Sequence, residues 1–399
     1  MRLDNMDSVG GGGRKLAVIA PMAFLMAVGQ GCLSLGLVFH VRDTLGAAPA
    51  ATGWVTGIWF LSYMVSCHVS QPLAKRLRPR FSVLGASLVQ AVLCFLLAQC
   101  RTLGPAFALN ALLGVATAFF WPPLMGWLAA NAEGARLSRR LGIFNLCWSG
   151  GAILSPMLAG RVAEISSRLP LLISAGLFLL ASLIVGGAIR WLPGLQADDD
   201  AHEREGNPAG PVAKGTPLRF PAWVGLFAAY AVAGVLRNVF PMVARGDFGL
   251  GASQVGDLLF WCSLATSVAL GCLGRQKWWH FQGWQMVAGT VVMGVAMIGL
   301  ALAGGRIVPL AVALVVGGGA LGVNYVNSLF HGAAGCSHRA RRMAFHESLL
   351  SAGIFLGASL GGMVYQDAGG TPLLLGCAGL LGLAALVQLG LVRRFAATA

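Results

Sequence analysis

The 399-residue chain is 57% hydrophobic and only 11% charged, with mean hydropathy +0.74. About a quarter charged residues is usual for a soluble domain, so these few cannot cover a water-exposed surface, and a soluble enzyme is excluded at once. The formal net charge of +14 would suggest nucleic acid in a soluble domain; its distribution points elsewhere.

Apolar runs of about 17–25 residues, each able to cross a hydrocarbon core of roughly 30 Å as a helix, recur along the whole chain. In order they are Leu16–Phe39, Gly53–His68, Phe81–Ala98, Pro105–Leu128, Leu141–Gly160, Pro170–Ile189, Pro221–Val243, Val255–Leu273, Trp284–Ala303, Ile307–Phe330, Phe345–Tyr365 and Thr371–Val392. The first run is too long for a signal-peptide core and stays as a permanent helix. The fourth carries Pro122-Pro123, which predicts a kink or break just after Trp121. With the N-terminus inside, most of the 28 Lys and Arg fall in loops of one side, so both termini are expected in the cytoplasm. Charge serves topology, and no nucleic-acid partner is expected. The nine cysteines form no C-x-x-C pair, and neither a metal site nor a cofactor is implied.

Between the sixth and seventh runs lies Leu192–Arg219, with Asp198-Asp199-Asp200 and three prolines, which reads as a cytoplasmic linker. The predicted organisation is a tail 1–15, a six-helix bundle 16–191, the linker 192–219, a second bundle 220–393 and a tail 394–399. The halves match at an offset of about 202. Gly151, Ser155 and Ala159 correspond to Gly353, Gly357 and Gly361, Arg140 to Arg342, Asn145 to Glu347, and Gly160 to Gly362. Small residues four apart line one helical face and let another backbone approach closely. The fold class is therefore an all-α membrane protein, twelve transmembrane helices in two pseudo-symmetric bundles with a cavity between them.

At this point the sequence resembles the major facilitator superfamily, over residues 16–393. The stretch Gln71–Arg80 is similar to its loop motif Gly-x-x-x-Asp-Arg, with Lys75-Arg76 at the Asp-Arg position. Ser155-Pro156-Met157-Leu158-Ala159-Gly160 is similar to the ending of the fifth-helix antiporter motif. The resemblance implies a secondary transporter working by alternating access. It also implies that helices one, four, seven and ten line the cavity, with two, five, eight and eleven beside them. On that basis Gln30, Trp59, Tyr63, Trp121, Asn145, Trp148, Trp261, Asn324 and Tyr325 are cavity candidates, against ordinary packing or interfacial anchoring. Aromatic walls with a few amides suit an amphipathic organic solute.

Ionisable residues at membrane depth are costly and serve as functional hypotheses. Arg237 is either an anchor for an anionic group or an arginine snorkelling to the outer interface. His346 and Glu347 start the eleventh run, as a proton-coupling pair or as a gating latch. In the superfamily the loop aspartate contacts this helix end; here Lys75 replaces it, so the resemblance implies that the carboxylate has moved to Glu347. Asp257 reads as a rim carboxylate, and Gly317–Gly322, which fits G-x-G-x-x-G, as helix packing inside an apolar run. The expected function is export of an amphipathic compound with proton coupling, by a monomer in a bacterial inner membrane. Uptake of an organic anion or sugar, or a receptor or scaffold on the same fold, are the alternatives. No nucleophile–base–acid set appears at membrane depth, so an enzyme is not expected.

Overall fold

The computed structural model describes residues 4–69, 77–129, 134–191, 215–335 and 339–396, and contains no strand among them. The helices are α1 (Asp4–Phe39), α2 (Pro49–Val69), α3 (Pro79–Gln99), α4 (Leu103–Ala118), α5 (Trp121–Ala129), α6 (Gly134–Ala163), α7 (Leu169–Trp191), α8 (Arg219–Asn238), α9 (Phe240–Gly246), α10 (Ala252–Leu273), α11 (Gly283–Leu302), α12 (Ile307–Ala333), α13 (Arg339–Ala368) and α14 (Gly370–Ala396). A π-helical turn, His40–Thr44, prolongs α1. The pairs α4/α5 and α8/α9 are each one broken span, which leaves twelve crossings. Of these, 11 are long and apolar enough to span a bilayer by composition alone. The exception is α2, whose protein-facing side is built from Thr52, Gly53, Thr56 and Gly57 rather than from bulky apolar residues. Lys75, Arg76 and residues 192–214 of the predicted linker lie outside the described residues.

Within the first bundle α1 packs on α6 and α7, α2 on α4, and α3 on α4 and α7. The second bundle repeats this: α8 packs on α13 and α14, α10 on α12, and α11 on α12 and α14. The small-residue ladders explain the equivalence. A Cβ on Gly151 would sit 2.6 Å from the Phe24 carbonyl of α1, and one on Gly353 would sit 2.9 Å from the Phe227 carbonyl of α8. Each bundle also carries a polar staple at matching depth. Thr117 donates to Gln90 between α4 and α3 (3.2 Å), and Thr290 donates to Asn324 between α11 and α12 (2.9 Å). Such intramembrane bonds contribute about 0.6–2 kcal/mol each.

Two helix crossings join the bundles, α2 with α13 and α6 with α10. Both are backbone contacts. A Cβ on Gly362 would lie 2.6 Å from the Pro49 carbonyl and 3.2 Å from Gly53 Cα, and one on Gly160 would lie 2.5 Å from the Ala252 carbonyl and 2.9 Å from Gly256 Cα. These contacts are at the ends of the spans remote from the chain termini, hereafter the far face.

The break in the fourth span comes before Trp121, at Phe119–Phe120, and not after it as the sequence suggested. Proline removes the bond to the residue four earlier and crowds its carbonyl, so Pro122 and Pro123 act on Ala118 and Phe119. The released Phe119 carbonyl accepts from Ser82 Oγ of α3 at 2.7 Å. Pro156 in α6 follows the same rule: the Ala152 carbonyl it frees accepts from Ser155 Oγ at 3.2 Å. In the seventh span Pro241 sits at the start of α9, and the helix breaks at Val239. At the end of α5, Lys15 Nζ donates to the Trp127 carbonyl and Arg140 to the Leu128 carbonyl, each at 3.2 Å, placing two cations at a helix C-terminus.

Ser82→Ala removes the donor at the α4/α5 break and strands a carbonyl away from water. It should lower thermal stability in detergent by about 1–3 kcal/mol, with Ser82→Thr retaining most of it; equal melting of parent and Ala variant would contradict this account.

Candidate functional site

Between the bundles the far face is closed by polar contacts made in pseudo-symmetric pairs. Glu164, at the end of α6, accepts from the Ser253 N–H at 2.9 Å and its hydroxyl at 3.0 Å, capping the first turn of α10 across the seam. Gln366, 202 residues later in α13, accepts from the Ala50 N–H at 3.3 Å in the first turn of α2. Each bundle thus caps a helix of the other. The two Ser253 hydrogen bonds hold the Glu164 carboxyl below the usual carboxylate range. Arg161 pairs with Asp257 at 3.1 Å, so the predicted rim carboxylate is an exposed ion-pair partner. Arg245 pairs with Asp43, again 202 residues apart, and covers the Phe39 ring. A contact between repeat equivalents lies on the pseudo-two-fold axis. Around it is a cavity of about 220 Å³ lined by Val38, Phe39, Arg42, Asp43, Pro241 and Met242.

Toward the termini the bundles part. Among the described residues the only cross-bundle hydrogen bond there joins Ser348 Oγ and His68 Nε2 (3.2 Å). On α6, Asn145 shares the stripe of Pro156 and Gly160 by helical spacing, yet it is exposed, as is Trp148. The space so opened is a vestibule. On the first-bundle side Trp59 stacks on Tyr63 (5.4 Å, 16°), and the Tyr63 hydroxyl and the Cys67 thiol are hydrogen-bonded. On the second-bundle side Tyr325 lies 6.1 Å from Tyr230 and 5.0 Å from His346 by ring centroid. Glu347 is exposed between them, its carboxylate within electrostatic reach of Tyr63, Cys67, Tyr230 and Tyr325. No cation pairs with it among the described residues. Arg237 is also exposed, at the α8/α9 break, and reaches Tyr230 and Cys262 electrostatically. Cys262 is at mid-height of α10, so the guanidinium turns into the protein rather than snorkelling to the far interface.

The remaining candidates are placed otherwise. Gln30 and Trp121 are brought together: Trp121 Nε1 donates to Gln30 Oε1 at 3.1 Å, while Gln30 Nε2 is buried without a partner. Asn324 is buried inside the second bundle, bonded to Thr290 and the Ala320 carbonyl, and does not reach the vestibule. His346 is buried against Ser328 Oγ at 2.9 Å, so it forms no solvent-facing pair with Glu347. Trp261 lies five residues past Gly256, about 140° around α10 from the α6 contact. It is half exposed, with Phe260 as its ring partner, and belongs to the outer surface instead. Sequence reasoning missed Tyr230 and the far-face set Asp43, Glu164, Arg245, Ser253 and Gln366. The 202-residue offset, already visible in the glycines, was the signal that could have paired Asp43 with Arg245 and Glu164 with Gln366. No cluster able to hold a metal occurs among the described residues.

A family model described as Major Facilitator Superfamily matches residues 19–331. Multidrug resistance protein 1 of Bacillus subtilis is 25% identical over 233 residues, 57% of this chain and 59% of that protein. An uncharacterized MFS-type transporter of Mycobacterium tuberculosis is 27% identical over 164 residues, 41% of this chain and 38% of that one. The matches therefore span less than two thirds of these relatives. Among solved structures, the nucleoside transporter NupG superposes with TM-score 0.73 at 14% identity (94% of this chain, 98% of that one). A peptide transporter POT gives 0.78 at 13% (95% and 94%). A bacterial homolog of the lysosomal transporter Spinster, in an inward-facing and occupied conformation, gives 0.70 at 13% (96% and 94%). At such identities the likeness is one of fold.

Because the Glu164 carboxyl is lowered by its partners, its cap holds above the ordinary carboxylate range and is lost only as pH falls through the lowered value. Glu164→Ala should increase maleimide labelling of a cysteine placed at Val38 in a background lacking the native thiols. Glu164→Gln, which copies Gln366, should leave labelling near the parent level, and equal labelling of all three would count against the cap.

Proposed function

The chain belongs to the Major Facilitator Superfamily, and from that premise we propose that it exports an amphipathic organic solute by proton-coupled alternating access. The observation that carries this reading is the vestibule wall. Trp59 and Tyr63 from one bundle face Tyr325 of the other, around an exposed carboxylate, Glu347, that no described cation neutralises. Aromatic faces supply apolar area and attract cationic groups, and a few polar atoms orient the ligand. The multidrug resistance protein among the relatives supports the same direction.

The basic loops put the termini side in the cytoplasm of a bacterial inner membrane. In that orientation the far-face contacts close the outer gate, and the vestibule opens inward. Solute enters from the cytoplasm; the halves then rock about the two glycine crossings, the Asp43–Arg245 and Glu164–Ser253 contacts separate, and the site opens outward. Glu347 holds either a proton or the positively charged part of the solute, so that one displaces the other. His346, tied to Ser328, positions the start of α13 and carries no proton in this scheme.

Proteoliposomes containing the purified chain and ethidium test this directly. A proton gradient opposing the direction of dye movement should accelerate ethidium transport several-fold. Glu347→Gln should abolish that acceleration while leaving passive exchange down the dye gradient measurable. A Glu347→Gln protein that still responds fully to the gradient removes the carboxylate from the coupling step.

A further inference from the structure

Two charges of opposite sign face the vestibule, and neither has a partner in the protein. Glu347 of α13 and Arg237 of α8 are both exposed, and no carboxylate lies within 4 Å of the guanidinium among the described residues. Nor do they neutralise each other. Tyr230 is within electrostatic reach of both, and so stands between them. Arg237 is seven residues beyond it on the same helix, about 10 Å toward the far face at 1.5 Å per residue.

An uncompensated charge in a partly desolvated cavity is costly. A simple cation placed at Glu347 leaves Arg237 unanswered, and a simple anion placed at Arg237 leaves Glu347 so. We infer that the vestibule binds an elongated zwitterion, its ammonium at Glu347, its acidic group at Arg237, and an apolar middle along Tyr230 and Tyr325. This rests on the transporter reading and narrows its substrate to molecules whose opposite charges stand about 10 Å apart, the axial separation just given. Arg237 is kept at that depth by the α8/α9 break, where Pro241 ends the regular helix one turn later.

The test uses the full chain in nanodiscs and radiolabelled 8-aminooctanoate, with unlabelled octylamine, octanoate and the shorter 4-aminobutanoate as competitors. 8-Aminooctanoate should compete at least about tenfold better than any of the three, a difference of about 1.4 kcal/mol. Arg237→Gln should reduce its affinity to the level of octylamine and leave octylamine unchanged, with Arg237→Lys recovering part of the loss. The unchanged octylamine value shows that the variant is folded. If octylamine or octanoate competes as well as the zwitterion, or if Arg237→Gln has no effect on it, the inference is overturned. Gradient-driven ethidium transport without 8-aminooctanoate binding overturns the zwitterion and leaves the transporter standing. If neither ethidium nor any solute of a broad panel moves in proteoliposomes, the transporter reading fails and this inference with it.

Discussion

Two places where glycine meets glycine hold the molecule's halves together. At Gly53–Gly362 and at Gly160–Gly256 the backbones of opposing helices approach until no side chain fits between them. Lipid is as apolar as the protein surface, so helices gain little by hiding hydrophobic groups from it; close packing and hydrogen bonds must do the work. Small residues at the crossings allow that packing without interlocking bulky side chains, so each crossing can act as a pivot. The far-face polar contacts, the inner vestibule and the exposure of Glu347 all follow from where these crossings sit along the spans.

The helix breaks show the same economy within each bundle. A proline inside the bilayer frees a carbonyl that water cannot satisfy. Ser82 meets the Phe119 carbonyl and Ser155 meets that of Ala152, so the irregular backbone is tolerated because a hydroxyl is at hand. The break in the seventh span leaves Arg237 just before the bend, where a long cation reaches the interior. Local irregularity and the location of charge are thus one structural fact.

Much of the architecture was legible in the sequence, because apolar run length and small-residue spacing report directly on crossing and packing. The ladder of Gly151, Ser155 and Ala159 with its counterpart at Gly353, Gly357 and Gly361 was readable, since only helical periodicity was needed. The site was legible in part. Gln30, Trp59, Tyr63 and Tyr325 fall where depth and helix number put them. Asn324 and Trp261 do not, because the direction a side chain takes around its helix depends on which neighbours pack there. A single sequence gives depth much better than it gives azimuth. The break before Trp121 was misplaced for a local reason, proline acting on the residue four positions earlier.

The clasp of Asp43 with Arg245 has a bearing on how such a chain can exist at all. The two residues occupy the same place in each repeat, one acidic and one basic. A homodimer of the first half alone would set aspartate against aspartate on its symmetry axis, and a homodimer of the second would set arginine against arginine. Neither half is complementary to itself at this point, and only their covalent union, with symmetry broken at a single position, turns a repulsion into an attraction.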